Sequence, residues 1–405
     1  MGSELLAEGV SRTAFGTDRA ATTRTVQIVC GAGLISGKEI VSLHLGRGLR
    51  DAAWNVQFVT SKWGDVEFIR RLEHDGFAYQ RLRLGFISVT PRIEPLLMTL
   101  DQLRFWPALV GGYMRLVKRT DPQAVVHTNW HHTLLLLPLL RTRRDIYWAH
   151  DLVPNIPRYA RMFRAIAERV GKVVCVSHAV ARGIVALGVP ESKVVTVHSG
   201  IPPIESISSP GDHPKLRLGI VGQIGPWKGH DDLIDSLALL PRDRTRVSLQ
   251  IFGAGDPEHV KSLKNRIAEL NLSDQVEWCG FVSDRAEIYS RIDVCVVPSR
   301  CEEALGMTAL EAGGFGRPVI SSNRGGLPEV VVDGATGLVV EAERPDHLAQ
   351  AITSFSDNPD RIKSMGQAAR KRIQSEFSLD RCVGQFIQVV EDIKAQHLPI
   401  NSQHY

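Results

Sequence analysis

The chain has 405 residues, which at about 150 residues per domain implies two or three domains and excludes a single small module. With 43% hydrophobic and 23% charged residues, 35 Gly and 21 Pro, it falls outside the disordered, fibrous and low-complexity classes. The net charge is only +4, yet residues 1–200 carry 26 Lys/Arg against 16 Asp/Glu while residues 201–405 carry 22 against 28, so the first half predicts an anionic neighbour, either a lipid head-group surface or a phosphorylated substrate.

Residues 1–24 lack the apolar core of a signal peptide and predict a mobile tail. From Val26 onward, short β-branched runs alternate with helical stretches: VQIVC, a helix over 38–53, NVQFVT, a helix over 66–75 and a long helix near 94–119. AVVHT, IYWAHD, a helix over 157–170, KVVCVS and KVVTVH follow. Such alternation predicts a parallel sheet with crossover helices over 25–200. The segment 201–214, with four prolines, three serines and a glycine, reads as a linker. The pattern then restarts with KLRLGIVG, a helix near 229–240, VSLQIFG, a helix over 257–270, QVEWCG and a helix over 284–291. DVCVVPS, a helix over 306–315, PVIS and helices filling 345–396 complete the chain. The fold expected is α/β, with two Rossmann-like doubly wound parallel sheets facing a cleft at the carboxyl ends of their strands, where open sheets of this kind bind ligands.

No run reaches the roughly 18 to 20 apolar residues of a membrane span; LLLLPLL at 134–140 is too short and contains a proline. The six cysteines form no Cys-x-x-Cys pair and predict buried thiols in a reducing, cytoplasmic setting. There is no nucleic-acid motif or dense Lys/Arg tract, so nucleic acid is not an expected partner. Two basic stretches, 104–119 with interleaved Phe105, Trp106 and Tyr113, and 158–172 with four arginines and a lysine, fit helices at an anionic membrane surface and equally fit core-packed helices with a wet basic side.

The most informative segment is PSRCEEALGMTALEAGGFGRPVISSNRGGLPEVVVDGATG, residues 298–337. Glu303 lies in the loop leaving a buried strand and Glu311 on the helix that begins near Gly306, eight positions on. The backbone N–H groups around Leu305, Gly306 and Met307 are unpaired donors at a positive helix end, suited to a phosphate or a sugar hydroxyl. Taken alone, two glutamates at this spacing are ordinary solvated helix charges. The Pro-Ser-x-x-Glu, Glu-x7-Glu, Leu-Glu-Ala, Gly-x-Pro-Val-Ile and Gly-Gly-x-x-Glu elements together, however, resemble the signature of retaining GT-B glycosyltransferases of the group 1, family 4-like kind. Ala304 and Leu305 depart from the Pro-Phe of many members.

That resemblance implies a nucleoside-diphosphate-sugar donor, with a saccharide or lipid-linked acceptor. Glu311 would accept hydrogen bonds from the donor ribose, Glu303 would contact hydroxyls of the transferred sugar, and the loop with Phe281 and Val282 would read the base. Lys228, in GQIGPWKG, holds the position where the family clamps the diphosphate, and Gln223 replaces an arginine there. Gly33 and Gly37, in CGAGLISGK, look like the glycine loop facing the donor phosphates and the acceptor, although the segment fails as a dinucleotide fingerprint. A histidine touching the donor sugar is implied; His127 and His131 come first among the candidates, then His150 with Asp151, with His132 in the same cluster. With no Asp-x-Asp pair and scattered cysteines, no metal and no cofactor is expected. The last helix, 381–396, is expected to cross back to the first domain, leaving 215–380 as the donor domain. A nucleotide-sugar 2-epimerase, or a ligand-binding protein without chemistry, remain as alternatives on the same plan.

Overall fold

The computed structural model describes residues 24–31, 35–87, 93–205, 215–240 and 246–397; the expected N-terminal tail up to residue 23, Gly33, and the linker from 206 on lie outside them. The first domain runs β1 (Thr25–Val29), α1 (Gly37–Asp51), β2 (Asn55–Ser61), α2 (Val66–His74), β3 (Ala78–Leu82), α3 (Ile93–Leu103) and α4 (Trp106–Thr120). It continues through β4 (Ala124–His127), α5 (Trp130–Leu136), β5 (Asp145–Ala149), α6 (Pro157–Arg169), β6 (Lys172–Cys175), α7 (His178–Ala186) and β7 (Val194–Thr196). The second comprises β8 (Leu216–Val221), α8 (His230–Ala238), β9 (Val247–Phe252), α9 (Pro257–Glu269), β10 (Val276–Gly280), α10 (Arg285–Ser290) and β11 (Val294–Val297). After these come α11 (Met307–Gly314), β12 (Val319–Ser322), α12 (Leu327–Val330), β13 (Gly337–Val340), α13 (Pro345–Ser356), α14 (Pro359–Glu376) and α15 (Leu379–Ala395).

The seven-stranded sheet has the order β3-β2-β1-β4-β5-β6-β7 and the six-stranded sheet β10-β9-β8-β11-β12-β13. Every named pairing is parallel. Central strands such as β1, β5 and β11 are buried along their whole length, because helices cover both faces of each sheet. The two Rossmann-like sheets expected from the alternation are therefore present.

Details differ from the sequence reading, each for a local reason. The long helix near 94–119 is two helices, because Pro107 lacks an N–H and its ring clashes with the carbonyl four residues back, so it opens α4 instead of continuing α3. Strand β3 escaped notice because AYQRL lies half-exposed near the sheet edge and carries polar residues. β13, α5 and α7 escaped because they are short, and α5 and α7 are announced mainly by the side-chain caps of Asn129 and Ser177. The stretch 345–396 is three helices, restarted at Pro359 and at the Ser378 cap.

The chain passes between domains twice at one place: Ile201 N–H donates to Phe377 O at 3.0 Å and Leu379 N–H to Ile201 O at 2.9 Å. From there α15 lies on the first domain, with Phe386 against Trp148, ring centroids 5.4 Å apart, and Lys394 Nζ donating to Gln123 Oε1 at 2.8 Å. A Cβ on Gly48 of α1 would meet Val383 at 2.5 Å, so glycine sets the approach of these helices.

The crossing also requires Gly200, where a Cβ would collide with the Ser378 carbonyl and lie 2.7 Å from Leu379 Cα, both of them backbone. Gly200→Ala is expected to lower the melting temperature by several degrees. Gly384→Ala, at an exposed helical position with open space around the new methyl, should raise it, since glycine inside a helix costs about 1 kcal/mol relative to alanine. Thermal melts of the two variants beside the parent check both signs.

Candidate functional site

Two loops at the carboxyl ends of β8 and β11 build the second domain's half of the cleft. After β8 the chain makes a 3-10 turn over Pro226–Lys228 and closes it with Gly229 at φ 72°, where a side chain would run into the Pro298 carbonyl. Arg300 N–H donates to Trp227 O at 2.9 Å, and the Arg300 guanidinium holds Asp232 of α8 through two bonds of 2.7 Å. A bidentate pair of this kind positions as well as binds.

The two loops bring Lys228 Nζ to 2.5 Å from Glu303 Oε1, and Ser299 Oγ donates to the same oxygen at 2.6 Å. Lys228 and Glu303 are partly exposed, so they remain reachable. Gly306, at φ 100°, turns the chain into α11 where any Cβ would strike Leu327, and the Thr308 hydroxyl donates to Val221 O at 3.3 Å, tying the first turn of α11 to the end of β8. Leu305 is buried and anchors the turn; Met307 is half-buried at the helix start. One turn further, Glu311 takes Arg285 Nε at 3.0 Å and the Tyr289 hydroxyl at 3.3 Å. Burial pushes the Glu311 carboxyl above its ordinary value, against the opposing pull of Arg285 and Tyr289. Gln223 stands exposed beside this rim, as does Phe281, while Val282 is half-buried.

The first domain brings the amino end of α1 to the opposite wall. A Cβ on Gly37 would lie 3.9 Å from Met307 Cγ, so the starts of α1 and α11 face each other across the cleft. Two helix amino ends thus converge, each with positive partial charge: that of α1 is closed by a Ser36/Glu39 capping box, and that of α11 opens at Gly306 without a side-chain cap. The turn into α1 is fixed by Ser36 N–H donating to Glu39 Oε2 at 2.9 Å and Ile35 N–H to Asp65 Oδ2 at 2.9 Å. Lys38 Nζ, one residue into the helix, lies 3.7 Å from Asp151 Oδ2.

The histidines divide. His131 Nδ1 lies 2.7 Å from Ile87 O, and its ring stacks on Trp130 at 3.4 Å and leans on Phe86 at 4.2 Å. His132 and His150 are buried. Burial holds His131 down to about 4 and His132 and His150 down to about 3, with the Lys38 charge acting in the same direction on each, so all three rings are neutral. His127 corrects the sequence reading. Its ring is fully enclosed with Nε2 2.8 Å from Asp145 Oδ1, inside a network that includes Arg144 and the Tyr113 hydroxyl, and it does not reach the cleft. Being at a strand end placed its backbone at the rim, but strand alternation turned the side chain into the packed face beneath α4.

The domains also touch beside the site. Glu329, after the Gly-Gly pair, accepts from the His178 and Ala179 amides at the start of α7 at 2.8 and 2.7 Å and lies 2.9 Å from His198 Nε2. Burial pushes the Glu329 carboxyl up, but the bonds from His198 and the two amides outweigh it and hold the group below the usual carboxylate range. Ser177 Oγ donates to Ala304 O at 2.5 Å. Among the described residues, His178, His198 and Glu329 are the group whose potential metal-ligand atoms come within 4.8 Å of one another, and the carboxylate there is already engaged by three donors. Sequence reading attached no role to Lys38, Arg285 or the Glu329 contact; Ser177 before an apolar helix was the available cap signal for the last of these.

The pattern described as Glycosyl transferases group 1 matches residues 205–372, and that described as Glycosyltransferase Family 4 matches 35–204. A lipopolysaccharide core biosynthesis mannosyltransferase, LpcC, of Rhizobium leguminosarum bv. viciae is 30% identical over 318 residues, covering 74% of this chain and 86% of the relative. The chain belongs to the group 1 glycosyltransferases. A D-inositol 3-phosphate glycosyltransferase of Streptomyces coelicolor is 31% identical over 214 residues, 45% of this chain and 47% of the relative, so the match spans about half of that protein. In fold, this group 1 glycosyltransferase is similar to Anabaena HepE in complex with UDP, with TM-score 0.77, 18% identity, and 91% of this chain and 100% of the other covered. Sucrose-phosphate synthase of Thermosynechococcus elongatus gives TM-score 0.73 and 22% identity over 92% and 100% of the two chains.

The depressed histidines carry a pH consequence. Their folded values lie below the unfolded value of about 6.5, so between about pH 6.5 and the folded values the unfolded chain binds protons that the folded rings refuse. Stability is therefore complete above that window and lost as pH falls through it, at up to about 1.4 kcal/mol per pH unit for each fully buried ring. Melting temperature followed from pH 7.5 down to about 4.5 should fall progressively below about 6.5, and less steeply in His132→Gln; a flat profile contradicts the assignment.

Proposed function

We propose that this chain transfers a sugar from a nucleoside-diphosphate sugar to an acceptor hydroxyl with retention of anomeric configuration, without a metal, in bacterial glycan or glycolipid synthesis. The observation that carries the reading is the meeting of the α1 and α11 amino ends at Gly37 and Met307, beside Lys228. Cleaving such a donor leaves negative charge on a diphosphate. Two helix ends and an ammonium are the groups that stabilise developing anionic charge, and at about 4 Å and an effective dielectric near 20 one lysine contributes about 4 kcal/mol of attraction before desolvation is subtracted.

Glu303 now neutralises Lys228, and in the bound state its carboxylate would accept from hydroxyls of the transferred sugar while the ammonium turns to phosphate. Glu311 would take the ribose hydroxyls in place of Arg285, whose guanidinium, released toward the rim, supplies a second cation near the exposed Gln223. Neutral His131 lines the first-domain wall as a hydrogen-bonding group. With no acid/base pair placed at the centre, the departing phosphate takes the acceptor's proton on the same face, and positioning carries the rate.

We also place the first domain at an anionic membrane surface, with the protein cytoplasmic. Support comes from α3 and α4, where Ile93, Leu97, Leu100 and Trp106 are exposed beside basic residues, whereas α6 buries Met162, Phe163 and Ile166 and offers only its wet arginine side. No helix among the described residues is long and apolar enough to cross a membrane; all six cysteines are free thiols, four of them buried as expected, while Cys279 is half-buried and Cys301 is exposed.

Glu311→Ala should raise the donor KM at least about tenfold, and Lys228→Ala should lower kcat/KM by about a hundredfold or more. Initial rates with UDP-, GDP- and ADP-sugars against an acceptor panel measure both, and wild-type kinetics in the two variants contradict the reading. EDTA should leave the rate unchanged. Donor incubated without acceptor should yield no epimer, which separates transfer from 2-epimerisation.

A further inference from the structure

A second cavity, of about 340 Å³, opens at the carboxyl ends of β2 and β3 against the joint between α3 and α4. Its size is at the lower end of small-ligand pockets, roughly 300 to 1,000 Å³. Lys62, Trp63, Arg83, Asp101, Arg104 and Phe105 line it, three cations to one carboxylate. Asp101 is taken by Arg104 at 3.2 Å. Among the described residues neither the Lys62 ammonium nor the Arg83 guanidinium has a carboxylate within 4.0 Å, so both charges face the pocket without an acidic partner.

The arrangement is also ordered. The Arg83 guanidinium lies 4.4 Å from the Phe105 ring centroid and that of Arg104 lies 4.6 Å from the same ring, so one aromatic gathers two like charges. Asp101 offsets only the Arg104 charge, so Arg83 and Lys62 keep theirs unopposed, and stacking on a ring leaves the edge N–H groups of a guanidinium free to grip an anion. Trp63, 45% exposed and 5.9 Å from Phe105, adds an apolar plate beside the cations. Charge, fork and plate together match a phosphate monoester, of charge about −1.5 to −2, attached to a sugar or polyol.

We propose that this pocket binds the phosphate of a phosphorylated acceptor, a phosphosugar or the phosphate head-group of a lipid; naming the ligand an acceptor rests on the transferase reading above. Placement supports it. In the order β3-β2-β1 neighbouring strands lie about 4.8 Å apart, so the ends of β3 and β1 are about 10 Å apart, and the β1–α1 loop leads to Gly37 opposite Met307. A phosphate held here therefore leaves the rest of a hexose-sized acceptor pointing along the rim toward the donor site.

The test titrates the full-length protein with glucose 6-phosphate and with glucose, following tryptophan fluorescence, and repeats it with monomeric dihexanoyl phosphatidylglycerol. The phosphorylated probe should bind and glucose should not at equal concentration. Lys62→Gln/Arg83→Gln, two exposed positions, should weaken binding at least tenfold, and Trp63→Phe should remove most of the fluorescence change while keeping affinity within a few-fold. Binding of glucose 6-phosphate alone identifies a soluble phosphosugar, and binding of the phospholipid identifies a lipid head-group; either upholds the proposal. Equal binding of glucose and glucose 6-phosphate, no binding of either phosphorylated probe, or an unchanged Kd in the double variant overturns it. UDP and GDP titrations of the same variants, expected to match the parent, separate this outcome from a failure of the donor-site reading.

Discussion

The carboxylate of Glu329, carried by the second domain, closes the amino end of α7 in the first, and this one contact governs how the sheets confront each other. An anion at a helix start satisfies donors that would otherwise lack partners inside the fold, and it works in concert with the helix dipole. Because α7 follows β6 and Glu329 follows β12, the bond joins the carboxyl-end rims of the two sheets and leaves their amino-end edges apart. Ser177 reinforces it through Ala304, one residue beyond Glu303. On the far side, the Ile201, Phe377 and Leu379 backbone bonds and α15 hold the same orientation. The cleft is thus a consequence of two attachments flanking an unattached middle.

Inside that middle the electrostatics run one way. Behind its side of the cleft the first domain keeps the His131, His132 and His150 imidazoles neutral by burial, and it places Lys38 near Asp151. The second-domain wall pairs each acidic side chain with a cation, Glu303 with Lys228 and Glu311 with Arg285. Paired in this way, neither carboxylate is left as an uncompensated charge when the cleft is empty, and each pair can exchange partners when polyhydroxylated, negatively charged material enters. The α11 start has no acidic residue in its first turn and no side-chain cap, whereas the α1 start already holds Glu39, so of the two helix ends that of α11 at Gly306 and Met307 is the one open to an anion.

The rim of the first domain extends this logic outward. Its basic surplus is not spread evenly, since Lys62, Arg83 and Arg104 gather around Phe105, next to a helix pair with exposed apolar residues. An acceptor that is itself phosphorylated or membrane-tethered would meet a complementary surface before reaching the donor. The acidic second domain has the opposite bias, so an anionic ligand there would depend on local hydrogen-bond donors, and global charge would contribute little.

Much of this was legible in the residue order. Short, unbroken β-branched runs alternating with helical ones determined two parallel sheets, because a buried parallel strand needs an unbroken apolar stretch and each crossover needs a helix. The 298–337 segment likewise determined the family and the positions of Glu303, Glu311 and Gly306, since a left-handed turn that admits only glycine must show itself as glycine. Only the tertiary structure decided where side chains point and whom they meet. His127 and His131 sit four residues apart in similar sequence surroundings, yet one is sealed beneath α4 and the other is half-buried between Trp130 and Phe86. Arg285 meets Glu311, Glu329 meets α7 and Gly37 meets Met307 across 26, 150 and 270 positions of chain. Such contacts are set by how elements far apart in the chain pack together, and no short stretch of sequence encodes the distance between them.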